Sequence, residues 1–101
     1  MKNNIFTYAH RTAIVTGGSK NIGLSITEKF LAAGMQVAII SSEKSNLDSA
    51  KEYLNQSNSN VSFWQSNITH TASLEKLIAN INQHHGSIDI LVNNAALLEI
   101  T

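Results

Sequence analysis

Residues Thr12 to Ile26, TAIVTGGSKNIGLSI, limit what this chain can fold into more than any other stretch. Ala13-Ile14-Val15 is a short apolar run, and a glycine-bearing turn from Thr16 to Gly23 follows at once. Beyond it Ile22, Ile26 and Phe30 recur at the spacing of one helix face. The order is strand, glycine turn, helix. Such a unit aims the free N–H groups and the positive end of a helix at a point above the strand, where a phosphate binds well.

The rest of the chain repeats the alternation. The first strand is expected over Thr12 to Thr16 and the first helix over Asn21 to Ala33, with Gly34 as its C-terminal cap. Val37-Ala38-Ile39-Ile40 reads as a second strand, Ser41 to Asn46 as a polar loop, and Leu47 to Asn55 as a short helix. Val61 to Gln65 alternates apolar and polar, as a half-exposed strand does. Leu74, Leu77, Ile78 and Ile81 mark a third helix, begun by Thr69 or Thr71 and closed by Gly86. Ile88 to Val92 is a fourth strand.

A βαβαβαβ chain with short loops builds a parallel sheet. Strands one, two and four are apolar along most of their length, as strands covered on both faces are; the alternating third belongs at an edge. Right-handed crossovers then give the order 3-2-1-4, with a topological switch point between strands one and four. The expected fold is α/β, part of a Rossmann-type doubly wound sheet. Residues 1–10 read as a polar leader and residues 11–101 as one dinucleotide-binding domain. Strand four would be central in a complete sheet, and an unpaired apolar strand invites a partner. The chain therefore reads as truncated before a further half.

With 101 residues, 43% of them hydrophobic, the chain has room for one modest core. Seven basic residues balance seven acidic ones, so no basic surplus argues for nucleic acid or an anionic membrane. The absence of cysteine excludes disulfides, thiolate metal sites and a cysteine nucleophile. No signal-peptide core or membrane-length apolar run is visible, and the expectation is a cytoplasmic protein.

The turn itself can be narrowed. Gly18-x-x-x-x-Gly23 has Walker-A spacing, but Leu24 stands where that motif needs lysine, and the GxGxxG pattern also fails. What remains is Thr16-Gly17-x-x-x-Asn21-x-Gly23, which resembles the TGxxxGxG turn of the short-chain dehydrogenase/reductase family. Asp89-Ile90-Leu91-Val92-Asn93-Asn94-Ala95-Ala96 resembles that family's D-[IL]-L-V-N-N-A-G strand, and Ser66-Asn67-Ile68-Thr69 its [DN]-[VI]-T segment. The three occur in the family's order, and the resemblance covers the chain from Arg11 onward. Two positions depart from it. Asn21 replaces the middle glycine, where asparagine is the next-best residue for a left-handed backbone. Ala96 replaces the last glycine and adds a methyl near the cofactor.

The resemblance implies a nicotinamide dinucleotide. Gly17 permits the tight turn and Gly23 lets the helix pack close. Ser19, Lys20, Asn21 and Ile22 face the pyrophosphate and ribose; Asn67 and Ile68 lie against the adenine; Asn94, Ala95 and Ala96 line the crevice. Asn93 reads as a tie from strand four to its neighbours, and Asp89 as a structural strand-end residue. NAD binders carry an acid at the end of strand two, about 20 residues past the glycines. Here stand Ser41 and Ser42, with Glu43 beyond them. Together with Lys20 these favour NADP, while Glu43 keeps NAD open.

Hydride transfer in the family relies on a Ser and a Tyr-x-x-x-Lys beyond the fourth strand. Tyr8 is followed four positions on by Thr12, and Tyr53 by Ser57, so the motif is absent from these 101 residues and the chain alone is expected to be inactive. Among the family's members the Ser41-Ser42 and Asn67 variants resemble 3-oxoacyl-acyl-carrier-protein reductases, and complete members imply a homodimer or tetramer acting on a small carbonyl or alcohol substrate. The rival readings are a non-catalytic dinucleotide-binding or interaction module and a gene remnant. Other chemistry is thin. His84 and His85 read as a solvated helix end whose side chains point apart, a poor metal pair; His10 and His70 are isolated; Phe63 and Trp64 read as packing residues.

Overall fold

A computed structural model describes residues 11–17, 21–54, 60–66 and 71–93. The expected leader, residues 1–10, lies outside them, as do Ser19, Lys20, Asn67, Ile68, Asn94, Ala95, Ala96, His10 and His70. Four strands and three helices alternate along the chain: β1 (Thr12–Thr16), α1 (Asn21–Ala32), β2 (Gln36–Ser41), α2 (Lys44–Leu54), β3 (Val61–Gln65), α3 (Thr71–His85) and β4 (Ile90–Asn93). All strand pairs are parallel and the sheet order is β3-β2-β1-β4, as the crossover rule predicts.

Strand periodicity of two divides the sheet into two packed faces. Ile14, Ala38 and Ile40 point to one side, where Leu77 and Ile81 of α3 cover them and Trp64, Ile78 and Ile88 complete the cluster. Val15, Val37 and Ile39 point to the other, against Leu47 of α2 and Phe30 and Leu31 of α1. Every residue of β1 is buried, which is why that strand carries only small and β-branched side chains.

The helix ends follow local chemistry. After α1 the Gly34 N–H donates to Leu31 O at 3.0 Å and the Met35 N–H to Phe30 O at 3.1 Å. This is the Schellman pairing, and Gly34 occupies its left-handed position with φ 86°. Met35 then turns inward and is buried. The expected loop between β2 and α2 is shorter than the sequence suggested. The Glu43 N–H donates to Ser41 Oγ at 3.1 Å, and Glu43 O accepts from the Leu47 N–H at 3.3 Å. Glu43 thereby caps a helix that opens at Lys44, three residues before the first buried leucine.

Two strand expectations are corrected. Val61 to Trp64 are all half-buried rather than alternately buried and exposed. Val61 and Phe63 pack on the α1/α2 side and Trp64 on the α3 side, so both faces of the strand meet protein. β4 begins at Ile90 rather than Ile88, and Ile88 packs into the α3 cluster. It is also less covered than an apolar run implied: Leu91 is 63% exposed on the α3 side.

Candidate functional site

The C-terminal ends of β1, β2 and β4 converge on the switch point. Gly17 leaves β1 with φ 70°, and its N–H donates to Ile40 O at 2.9 Å, so pairing with β2 extends through the glycine. A left-handed residue costs a side-chain-bearing amino acid roughly 1 kcal/mol, and glycine avoids that cost. α1 opens at Asn21, directly beyond the turn. Gly23 in its first turn is buried, and the Thr27 hydroxyl donates to Gly23 O at 2.9 Å one turn later. Ile22 is 65% exposed, an apolar side chain left uncovered beside the helix N-terminus.

On the other side of β1, the Thr16 hydroxyl lies 3.0 Å from Asn93 Oδ1 and 3.3 Å from Val92 O. These contacts, with the backbone register Thr16↔Asn93, join β1 to β4 at the level where the glycine turn departs. Beneath them, on the α3 side, opens a cleft of about 130 Å³ lined by Ile14, Thr16, Ile40, Leu74, Ile78, Leu91 and Asn93. The cleft and the α1 N-terminus lie on opposite sides of β1, so a ligand using both must pass over its end.

Asp89 anchors the far end of the same strand pair. Its carboxylate accepts from the Thr12 N–H at 3.0 Å while its own N–H donates to Thr12 O at 2.9 Å. That is a structural strand-end role, remote from the turn.

At the end of β2 the Ser41 hydroxyl is engaged by the Glu43 backbone, and Ser42 is exposed, its carbonyl accepting from Gln65 Nε2 at 3.2 Å. The Glu43 carboxylate accepts from Asn46 Nδ2 at 3.3 Å. It therefore sits at the N-terminal cap of α2, where the helix dipole favours a negative charge. Tyr53 lies exposed on α2, and its hydrogen bond to Glu28 holds the phenol above its ordinary pKa. Of the residues expected to touch a dinucleotide, the structure brings Gly17, Asn21, Ile22 and Gly23 together at the top of β1, and Ser41 and Ser42 to the top of β2.

Residues 11–101 match the family model described as short chain dehydrogenase. The chain belongs to the short-chain dehydrogenase family. Among curated proteins it is 32% identical over 94 residues to a 3alpha-hydroxysteroid dehydrogenase from Mediterraneibacter gnavus, an alignment covering 91% of this chain and 38% of that protein. It is 32% identical over 91 residues to a 3-oxoacyl-acyl-carrier-protein reductase from Salmonella typhimurium, covering 90% and 36%. A crystal structure of a short chain dehydrogenase from Bacillus anthracis superposes with a TM-score of 0.80 at 31% identity, over 87% of this chain and 36% of that one. The chain thus spans little more than a third of the length of such short-chain dehydrogenases. The family is one of NAD(P)-dependent oxidoreductases. Among the described residues no helix is long and apolar enough to cross a membrane.

One cluster of side chains departs from the sequence expectation. His85 is not solvated: it is half-buried, with Nε2 2.7 Å from Ser62 Oγ and Nδ1 2.6 Å from Gln36 Oε1. Nor do the two histidine rings point apart, since their centroids lie 4.6 Å from each other edge to face. No local signal marks these contacts, because the partners come from strands 23 and 49 residues away.

Proposed function

We propose that residues 11–101 form the dinucleotide-binding portion of an NADP-dependent oxidoreductase that interconverts a carbonyl and an alcohol. The carrying observation is the left-handed Gly17 at the switch point, which turns the chain from β1 into α1 beside the Thr16–Asn93 contact. A pyrophosphate fits a backbone so arranged, because free N–H groups of the first helical turn face it. Ser19, Lys20, Asn21 and Ile22 are assigned to the pyrophosphate and ribose, Asn67 and Ile68 to the adenine, and Asn94, Ala95 and Ala96 to the crevice wall. When bound, the cofactor would supply hydride to a carbonyl carbon.

The preference for NADP rests on the end of β2. Ser41 and Ser42 stand there, and the Glu43 carboxylate beyond them accepts from Asn46. A carboxylate gripping a ribose 2′-OH would repel a 2′-phosphate, and Lys20 contributes the opposite charge. The substrate lies open between the classes that the relatives' names span. The Ser and Tyr-x-x-x-Lys of the reaction are assigned to sequence beyond residue 101, and cytoplasmic location and homo-oligomerisation are proposed with them.

Calorimetric titration of the chain with NADPH and NADH tests this reading. NADPH should bind more tightly, and Lys20→Ala should cost NADPH roughly tenfold more affinity than it costs NADH, since the charged contact that only the 2′-phosphate makes is worth about 1.4 kcal/mol. Equal affinities would overturn the NADP assignment. Binding of neither nucleotide by the folded chain would overturn the dinucleotide site.

A further inference from the structure

The turn between β2 and α2 is pinned at its backbone and held more lightly at one side chain. The Glu43 N–H donates to Ser41 Oγ at 3.1 Å, and the Ser42 carbonyl accepts from Gln65 Nε2 at 3.2 Å. Glu43 O accepts from the Leu47 N–H, which starts α2. The Glu43 carboxylate is held by a different contact: Oε1 accepts from Asn46 Nδ2 at 3.3 Å, at the long limit for such a bond. Residues three apart share a helix face, so the Asn46 amide reaches back over the first turn to the capping residue. Lys44, the adjacent cation, turns along the helix to Asp48 at 3.2 Å. Asn46 is half-buried, whereas Glu43 is exposed and its rotamer is not fixed by packing.

Glu43 also stands about 20 residues past Gly23, the separation at which a carboxylate grips the ribose 2′-OH in doubly wound sheets. The backbone therefore sets an acid beside the end of β2, and Asn46 decides which way its charge faces.

We propose that Asn46 is a specificity-determining positioning residue: by holding the Glu43 carboxylate on α2, it keeps that charge off the ribose 2′ position and tilts the site from NAD towards NADP. The inference rests on the dinucleotide reading above, with the adenosine ribose at Ser41 and Ser42. A released Glu43 would act in two ways. It would accept a hydrogen bond from a ribose 2′-OH, which strengthens NADH binding. It would also set like charge against a 2′-phosphate, which weakens NADPH binding. Both groups are solvated and screened by salt, so the combined change in preference is about three- to tenfold.

A first-turn asparagine can instead serve the helix alone. That role would alter the stability of the chain and both affinities together, and would leave their ratio where it was.

The test is calorimetric titration of the 101-residue chain with NADPH and with NADH, for the parent, Asn46→Ala, Glu43→Gln and the double variant. Asn46→Ala should lower the ratio of NADPH to NADH affinity about three- to tenfold. With Glu43→Gln already in place, the same change should move the ratio by less than about twofold. Glu43→Gln alone should leave NADH affinity within about twofold of the parent, because a carboxylate held on α2 does not touch the ribose. An unchanged ratio in Asn46→Ala, or a shift that persists in the double variant, would overturn the role of Asn46. So would a larger loss of NADH binding in Glu43→Gln, a reading that holds even if Asn46→Ala fails to fold. A parent that prefers NADH would overturn the NADP assignment alone, since the change in ratio is read whichever nucleotide the parent favours. Binding of neither nucleotide would overturn the dinucleotide site and this inference with it.

Discussion

Replacing Asp89 by alanine isolates the contact that sets β4 beside β1. The carboxylate accepts from the Thr12 N–H at 3.0 Å, and Thr12 is 0% exposed. Leaving a buried N–H without a partner costs about 1–3 kcal/mol. Asp89 is itself exposed, so water can enter the vacated position, and the expected loss is the lower part of that range, about 1–2 kcal/mol. That is a factor of roughly 5–30 in the folding equilibrium. Asp89→Asn retains a carbonyl oxygen at the same place and should recover about half of the loss, because a charge-assisted bond is roughly twice as strong as a neutral one. The assay is urea unfolding followed by the fluorescence of Trp64, with the slope against urea unchanged between variants. An Asp89→Ala chain within 0.5 kcal/mol of the parent would refute the reasoning. So would an asparagine variant as damaged as the alanine one.

Two further substitutions probe the frame. Gly34→Ala forces a Cβ onto a residue at φ 86° and should destabilise by about 1 kcal/mol in the same urea assay, without changing the helix content seen by circular dichroism. The Thr12 Oγ1 is buried without a partner among the described residues, so Thr12→Val, which removes the hydroxyl at nearly constant volume, should be neutral or stabilise by up to about 1 kcal/mol by thermal melting.

Most of the fold was legible because short, local rules agree. The apolar runs at Ala13–Val15 and Val37–Ile40 are long enough to require cover on both faces, and the strand–helix alternation leaves one handed way to supply it. Gly17 and Gly34 could be read as turn and cap because only glycine takes their conformations without strain. What escaped the sequence lies in contacts between distant residues. The start of α2 is hidden because hydrophobic spacing first shows at Leu47, whereas the helix is opened by backbone capping at Glu43. His85 looked like a frayed helix end because its partners, Ser62 and Gln36, are brought to it only by the folded sheet. β4 looked buried because composition records apolarity but not what stands above Leu91.

On the proposed function, a dinucleotide binds where β1, β2 and β4 end. The direct measurement is a titration of the nitrogen-15 labelled chain with NADPH, mapping which backbone amides shift. Saturable shifts are expected at Gly17, Ile22, Gly23, Ser42 and Asn93, with Gln36, Ser62 and His85, away from the strands' C-terminal ends, unmoved. Shifts centred on those last three residues, or none at saturating NADPH in a folded chain, would contradict it.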